Sequence, residues 1–136
     1  MAEDFLDAHD RHWTDAEKLY NDSRWANADH LYGVSAECGL KRLIILLNGG
    51  LASGDRKHIM EKAGSANAWD RFESYRSGSP IGARFALPSA NPFLLWNVSQ
   101  RYENQSLFSK AGVDVHKAGA TVVKALVTNA KMDGLL

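Results

Sequence analysis

The stretch HLYGVSAECGLKRLI, residues 30–44, has the composition of a buried helix but contains three polar side chains on one line. Leucine, valine, isoleucine and alanine recur through it. At about 100° per residue, Glu37 lies roughly 20° to one side of His30 and Lys41 roughly 20° to the other. The three side chains therefore form one stripe in the middle of an apolar arc, and we expect the helix that carries them to be central.

Three explanations of this stripe stay open. The first is an ordinary exposed i, i+4 ion pair between Glu37 and Lys41, worth about 0.2–0.5 kcal/mol. The second is burial for purely structural reasons, since a buried charge is tolerated when it is paired and hydrogen-bonded. The third is a functional polar cluster in a groove. Ser35, Gly39 and Arg42 mark a separate polar arc, which we expect to face solvent.

Length and composition indicate one soluble domain spanning residues 1–136. Sixteen basic residues balance sixteen acidic ones, so there is no general attraction to nucleic acid or to an anionic membrane. The single cysteine, Cys38, excludes an internal disulfide, and its apolar neighbours predict an inert thiol. The acidic start MAEDFLDAHD is unlike a signal peptide, and the apolar run LIILL is too short to span a bilayer. We therefore expect a cytoplasmic protein without membrane contact.

Apolar spacings of three and four residues predict an all-α protein, specifically an up-and-down four-helix bundle with a short extra helix. Ser23 is the expected N-cap of the second helix and Gly49 its left-handed C-cap, while Asp55 is the expected N-cap of the third. The loop from Ser77 to Pro92 is rich in glycine, proline and serine. The four main helices and the short one are predicted over residues 4–20, 24–47, 55–75, 109–132 and 91–102.

Two of these helices have predicted inward faces. In the short helix after the long loop, the inward residues are expected to be Leu94, Val98 and Tyr102, with Leu95 beside them. In the last helix they are expected to be Val115, Ala118, Val122, Leu126 and Ala130. The opposite face of the last helix is expected to carry Lys117, Thr121, Lys124, Thr128 and Lys131.

Arg101 and His116 are further candidate functional residues. Arg101 is expected beside the core, where its guanidinium is suited to holding Glu37 bidentately or binding a phosphate; an ordinary capping role stays open. His116 falls at the edge of the apolar face of the last helix, as a satisfied boundary residue or a proton-transfer group. The chain contains no HExxH, GxSxG or phosphate-cradling glycine motif, so we expect neither a metal nor a cofactor.

Three segments together resemble the HEPN superfamily of small all-α prokaryotic domains. They are ADHLYGVSAECGLKRLI at residues 28–44, HI at 58–59 and RY at 101–102. The resemblance extends over about residues 15–136, and it is to stand-alone HEPN-like proteins of unassigned activity. It implies a homodimer linked to RNA, since many members are metal-independent ribonucleases of toxin–antitoxin, defence or RNA-processing systems. Others bind nucleotides or serve as non-catalytic partners of nucleotidyltransferases.

Catalytic members of that superfamily carry an arginine and a histidine separated by four to six residues. Here fourteen residues separate Arg101 from His116. Arg24 and His30 match the spacing, with five residues between them, but at the start of the second helix.

The sequence is therefore compatible with two functions. In the first, the chain binds RNA or a nucleotide in a polar groove, and metal-independent cleavage of that RNA stays open. Arg101 and Lys41 would contact phosphate with Tyr102 beside them, Glu37 would orient them, and His30 or His116 would transfer any proton. In the second, the chain is a non-catalytic protein partner of a nucleotidyltransferase or another enzyme, docking through the loop from Ser77 to Pro92 and through exposed aromatic side chains.

Overall fold

The structure is a computed structural model that describes residues 2–60, 66–88 and 90–136. Within these ranges it is built of helices and turns, without a β-strand, as expected from the sequence. The α-helices are α1 (Phe5–Asn21), α2 (Trp25–Asn48), α3 (Ala68–Ser77) and α4 (Lys110–Met132). Helices α1, α3 and α4 each pack against α2, which makes α2 the central element. No helix in this part of the chain is both long and apolar enough to cross a membrane.

The two ends of α2 show how far local signals determine it. At its C-terminus Gly49 adopts a φ of 78° and donates its N–H to Ile45 O at 2.8 Å, so the predicted left-handed cap is confirmed. At its N-terminus the predicted cap is wrong. Ser23 has a φ of 58° and lies outside the helix, and Arg24 occupies the cap position without a side-chain hydrogen bond.

The predicted solvent arc of α2 is also wrong, because that side of the helix is covered by α1. Ser35 is fully buried, and its Oγ donates to His9 O at 2.9 Å. The ring Nδ1 of His9 lies 2.7 Å from Ser35 O. Gly39 lies against His9 and Val123, while Arg42 is half-buried. Small residues at positions 35 and 39 therefore serve close helix packing rather than solvation.

Asp55 is not the N-cap of a long third helix. It lies in a short 3-10 turn with its carboxylate fully buried, where it accepts hydrogen bonds from Arg71, Tyr75 and the N–H of Ala52. Helix α3 begins only after Asn67, whose side chain accepts from the N–H of Asp70. Part of the predicted third helix, residues 61–65, lies outside the described residues.

The segment 91–102 forms turns instead of the predicted short α-helix. Asn91 Oδ1 accepts from Phe93 N at 2.9 Å and opens a turn, and a 3-10 helix then covers Val98–Tyr102. The tighter 3-10 winding changes which side chains point inward. Phe93, Trp96 and Gln100 are buried. Of the residues expected to point inward, Val98 is half-buried against the core, but Leu94, Leu95 and Tyr102 are 62%, 93% and 79% exposed.

Helix α4 begins after Ser109, close to the predicted start at residue 109, and Ser109 Oγ accepts from Gly112 N. Its buried face is rotated relative to the expected one. Val115 is 51% exposed and Ala118 is exposed, although Leu126 and Ala130 are buried as expected. The buried line includes Val113, His116, Gly119, Ala120, Val123 and Val127. The rotation places His116 inside the protein, where α2 supplies a partner for it.

Gly33 on α2 provides the space into which segment 91–102 docks. A Cβ at this position would overlap the indole ring of the buried Trp96. We predict that Gly33→Ala lowers the free energy of unfolding by about 1–3 kcal/mol through overpacking, despite the better helix propensity of alanine. Gly112→Ala is the matched control: a Cβ on this helical glycine would make only ordinary contact with Ser109, so the free energy of unfolding should rise by up to about 1 kcal/mol. Urea denaturation measures both, and equal effects of the two substitutions would contradict the packing described here.

Candidate functional site

A cavity of about 550 Å³ lies between the start of α2, segment 91–109 and the first turns of α4. This volume falls within the range of about 300–1,000 Å³ typical of small-molecule sites. At its floor are two polar side chains from distant parts of the sequence, Asp29 of α2 and His116 of α4. Both are buried, so the cavity ends on a desolvated polar pair.

The carboxylate of Asp29 is satisfied on both oxygens. His116 Nδ1 lies 2.5 Å from Oδ1, and Gln100 Nε2 donates to Oδ2 at 2.5 Å. The backbone carbonyl of Asp29 also accepts from Trp96 Nε1 at 3.2 Å. A buried carboxylate is tolerated only with such partners, so Asp29 fixes both the ring of His116 and the turn that carries Gln100.

The second ring nitrogen of His116, Nε2, is not engaged by Asp29. Within the described part of the chain Nε2 has no hydrogen-bond partner, yet it is not sealed from solvent, and His116 lines the cavity. The ring is held from one side by Phe93, whose ring centroid lies 5.4 Å away at 16° between the planes. With Nδ1–H donated to a carboxylate, Nε2 is an acceptor or proton-transfer group facing the cavity, as in Asp–His pairs of hydrolytic enzymes.

The upper walls of the cavity are largely apolar. Phe108 is half-buried, and four aliphatic side chains at the rim are exposed by 51–93%: Leu94, Leu95, Leu107 and Val115. An apolar wall with a few convergent polar groups is the usual composition of a ligand site. Contiguous exposed apolar side chains also favour macromolecular contact.

A second, more polar cavity of about 340 Å³ adjoins the first and shares Gln100 and Glu103 with it. It is lined by Arg24 and Arg101, whose guanidinium groups form no ion pair with any described residue. Residues 25–27, the first turn of α2, also border this cavity. The first N–H of α2 to bond along the helix is that of Ala28, which donates to Arg24 O, so the amides of residues 25–27 have no partner within the helix. Two guanidinium groups and free first-turn amides make this cavity suited to an anion.

The pair of Glu37 and Lys41 is buried, which excludes the exposed ion pair among the three explanations, but it lines neither cavity. Lys41 Nζ lies 3.0 Å from Glu37 Oε2, with 7% and 10% of the two side chains exposed. Glu37 Oε1 accepts from His58 Nδ1 at 3.0 Å and from Ile59 N at 2.9 Å. Arg101 is not among these partners, so the expectation that Arg101 holds Glu37 is wrong. The pair instead anchors the segment at His58 and Ile59 to α2.

His30 and Tyr102 are likewise outside the two cavities. The half-buried ring of His30 stacks on Trp96 at 5.7 Å and 8°, and its Nδ1 is enclosed without a described partner. Burial, and then the charge of Arg101, lower the pKa of His30. The ring of Tyr102 lies under the guanidinium of Arg101 at 4.8 Å, a contact that supports Arg101. Of the predicted site residues, the structure places only Arg101 and His116 along the two adjoining cavities.

Asp29 and Gln100, which hold the ring of His116 in place, were not expected from the sequence. Asp29 shares a helical line with Gly33, Ala36 and Leu40, all buried, and a carboxylate on that line is a signal that a partner is required. Gln100 carries no such signal, because its inward direction depends on the 3-10 winding of Val98–Tyr102.

Two further kinds of site were considered in the sequence, a reactive thiol at Cys38 and a metal centre. Burial raises the pKa of the Cys38 thiol to about 12, in keeping with the expected inert role. Over the described ranges, no group of three histidine, cysteine, aspartate or glutamate side chains is arranged to hold a metal ion.

No protein-family model, no curated protein and no solved structure significantly matches the chain. The HEPN resemblance of residues 28–44, 58–59 and 101–102 therefore stays a prediction.

The buried Glu37 gives an acid-dependent contribution to stability. Burial acts to raise its pKa, but the hydrogen bond from His58 and the charge and hydrogen bond of Lys41 outweigh it, so the pKa lies below the ordinary 4.5. The stabilisation is therefore complete above about pH 4.5 and is lost as the pH falls through the folded-state pKa. We predict that Glu37→Gln lowers the free energy of unfolding by about 3–5 kcal/mol at neutral pH, because Lys41 is left buried and uncompensated.

Denaturant titrations across the pH range measure this effect, and the difference between wild type and Glu37→Gln should shrink in acid. Glu103→Gln is the control: this glutamate is exposed and has no described side-chain partner, so the difference should stay near zero at every pH. A Glu37→Gln difference that does not change between neutral and acid pH would contradict the assignment.

The pairing with Asp29 also determines the tautomer of His116. We predict that the neutral ring carries its proton on Nδ1, leaving Nε2 unprotonated towards the cavity. Nitrogen–proton correlation NMR at alkaline pH distinguishes the two tautomers. Asp29→Ala should remove the restriction and populate both forms, whereas an Nε2–H tautomer in the wild-type protein would show that Asp29 does not orient the ring.

Proposed function

We propose that the chain is a HEPN-like domain that binds RNA or a nucleotide across the two adjoining cavities. The base would occupy the larger cavity above His116, and a phosphate would lie between Arg24 and Arg101. The observation that carries this proposal is the open Nε2 of His116 at the floor of an apolar cavity that adjoins an arginine-lined one. In this form Arg101 and His116 keep the roles expected of them, and Asp29 takes over the orienting role first given to Glu37.

The chemistry of the larger cavity suits a base. Phe108 and the leucines supply apolar surface for a flat ring system, and Nε2 of His116 supplies one hydrogen-bonding position below it. The smaller cavity suits a phosphate, because arginine binds phosphate oxygens bidentately and the first-turn amides of α2 add further donors. The overall charge is zero, so this local pair of cations supplies the attraction.

We predict that Arg101→Ala weakens nucleotide binding about tenfold or more, the loss expected for one charge-assisted hydrogen bond. Isothermal titration with ribonucleoside monophosphates and a short mixed-sequence RNA measures the affinity. Arg101 is exposed, so the variant should keep the wild-type unfolding midpoint. The control is Arg84→Ala, an arginine that is 57% exposed and pairs with Asp133 away from both cavities. Equal affinities of the two variants, or no binding by the wild-type protein, would contradict the proposal.

RNA cleavage is a further expectation from the HEPN resemblance. In such a reaction Nε2 of His116 would take the proton of a ribose 2′-hydroxyl, and the oxygen would attack the adjacent phosphorus. The P–O5′ bond would break, and the leaving oxygen would take up a proton. Cleavage that persists with a chelator and is lost in His116→Gln, while binding is retained, supports this step. Binding without cleavage makes the domain a non-catalytic binder.

The exposed aliphatic rim favours the second candidate function, a protein partner. Leu94, Leu95 and Leu107 are exposed by 62%, 93% and 70%. This surface is a more suitable docking face than the loop from Ser77 to Pro92, whose one aromatic residue, Phe85, is fully buried. The occupant would be a partner enzyme or a second copy of the chain in a homodimer. Leu95→Ser should then shift any assembly measured by sedimentation towards the monomer, whereas Arg101→Ala should weaken nucleotide binding and leave that assembly intact.

A further inference from the structure

The junction between the two cavities is formed by Gln100 and Glu103, the residues that line both. Gln100 is already engaged: its Nε2 donates to Asp29 and its Oε1 accepts from Asn97 N at 3.0 Å. Glu103 is exposed, and its carboxylate accepts no hydrogen bond from any residue that the structure describes. An uncommitted carboxylate therefore stands where the apolar cavity meets the arginine-lined one.

We propose that Glu103 binds the ribose hydroxyl groups of the ligand and so selects ribonucleotides over 2′-deoxyribonucleotides. This inference rests on the proposed function, with the base in the larger cavity and the phosphate in the smaller one. The sugar of a nucleotide connects these two parts, so it lies at the junction when both cavities are filled. Because an ionised carboxylate only accepts hydrogen bonds, its favourable partners are donors such as hydroxyl groups.

The charge of Glu103 also supports the proposed orientation of the nucleotide, with its phosphate near the arginines and its sugar near Glu103. A phosphate is repelled by a carboxylate and attracted by the guanidinium groups of Arg24 and Arg101, which also line the smaller cavity. A base placed over His116 leaves its sugar on the side of Gln100 and Glu103. The 2′-hydroxyl is the one group that distinguishes RNA from DNA at such a position, and a carboxylate is a suitable acceptor for it.

The test compares AMP, CMP, GMP and UMP with their 2′-deoxy counterparts in calorimetric titrations of the wild-type protein and of Glu103→Ala. The wild-type protein should prefer the ribonucleotide about tenfold, the effect of one charge-assisted hydrogen bond. Glu103→Ala should lose this preference while keeping or improving its affinity for the deoxynucleotide, because a repulsive charge near the phosphate is removed. Damage to the fold would instead weaken both ligands. The control Glu73→Ala, a glutamate of α3 that pairs with Arg76, should retain the preference.

Equal binding of both sugars by the wild-type protein, or a preference that survives in Glu103→Ala, would overturn the role of Glu103 and leave the proposed function standing. Failure of every nucleotide to bind the wild-type protein would overturn both.

Discussion

Two buried carboxylates on the central helix α2 determine where the rest of the chain docks. Asp29 is 3% exposed and Glu37 is 8% exposed, and an ionised carboxylate in such surroundings must collect donors. Asp29 does so with His116 and Gln100, and Glu37 with Lys41, His58 and Ile59 N. Each therefore fixes one connecting segment against α2. His116, the partner of Asp29, lines the larger cavity, whereas the partners of Glu37 line neither of the two cavities described above. Glu37 is therefore a structural anchor, and Asp29 belongs to the candidate functional site.

The parts of the fold that depend on neighbours in sequence were predictable. Helices α1, α2 and α4 follow from apolar spacing, and the end of α2 follows from the cap at Gly49, because these signals act within a few residues. The parts that depend on distant partners were not. Asp55 looks like a helix cap in sequence, but Arg71 and Tyr75 hold it as a buried acceptor. Segment 91–102 forms turns followed by a 3-10 helix over Val98–Tyr102, which no local pattern distinguished from an α-helix.

The candidate site was predictable to a similar extent. Helical periodicity placed Glu37 and Lys41 in the apolar arc of α2, which favoured burial without excluding an exposed pair, and both side chains are buried. Spacing along one helix could not show whether Glu37 and Lys41 face a cavity, because that depends on how the other helices pack. In the structure the buried carboxylate that lines the larger cavity is that of Asp29. The pairing of Asp29 with His116 joins residues 87 apart in sequence and turns the buried face of α4 away from the expected one. Spacing along either helix does not predict this pairing, because it forms only when folding buries Asp29 and brings His116 next to its carboxylate.

The most direct measurement of this division of roles is hydrogen exchange of backbone amides in Asp29→Ala and Glu37→Ala. The amide of Asn97 donates to Gln100 Oε1, a side chain held by Asp29, whereas the amide of Ile59 donates to Glu37 itself. Asp29→Ala should therefore speed exchange at Asn97 and Gln100 about tenfold or more and leave Ile59 unchanged, because each lost anchor frees only its own segment. Glu37→Ala should give the reverse pattern. Exchange that rises equally in both segments for either variant, or in neither, would contradict the account.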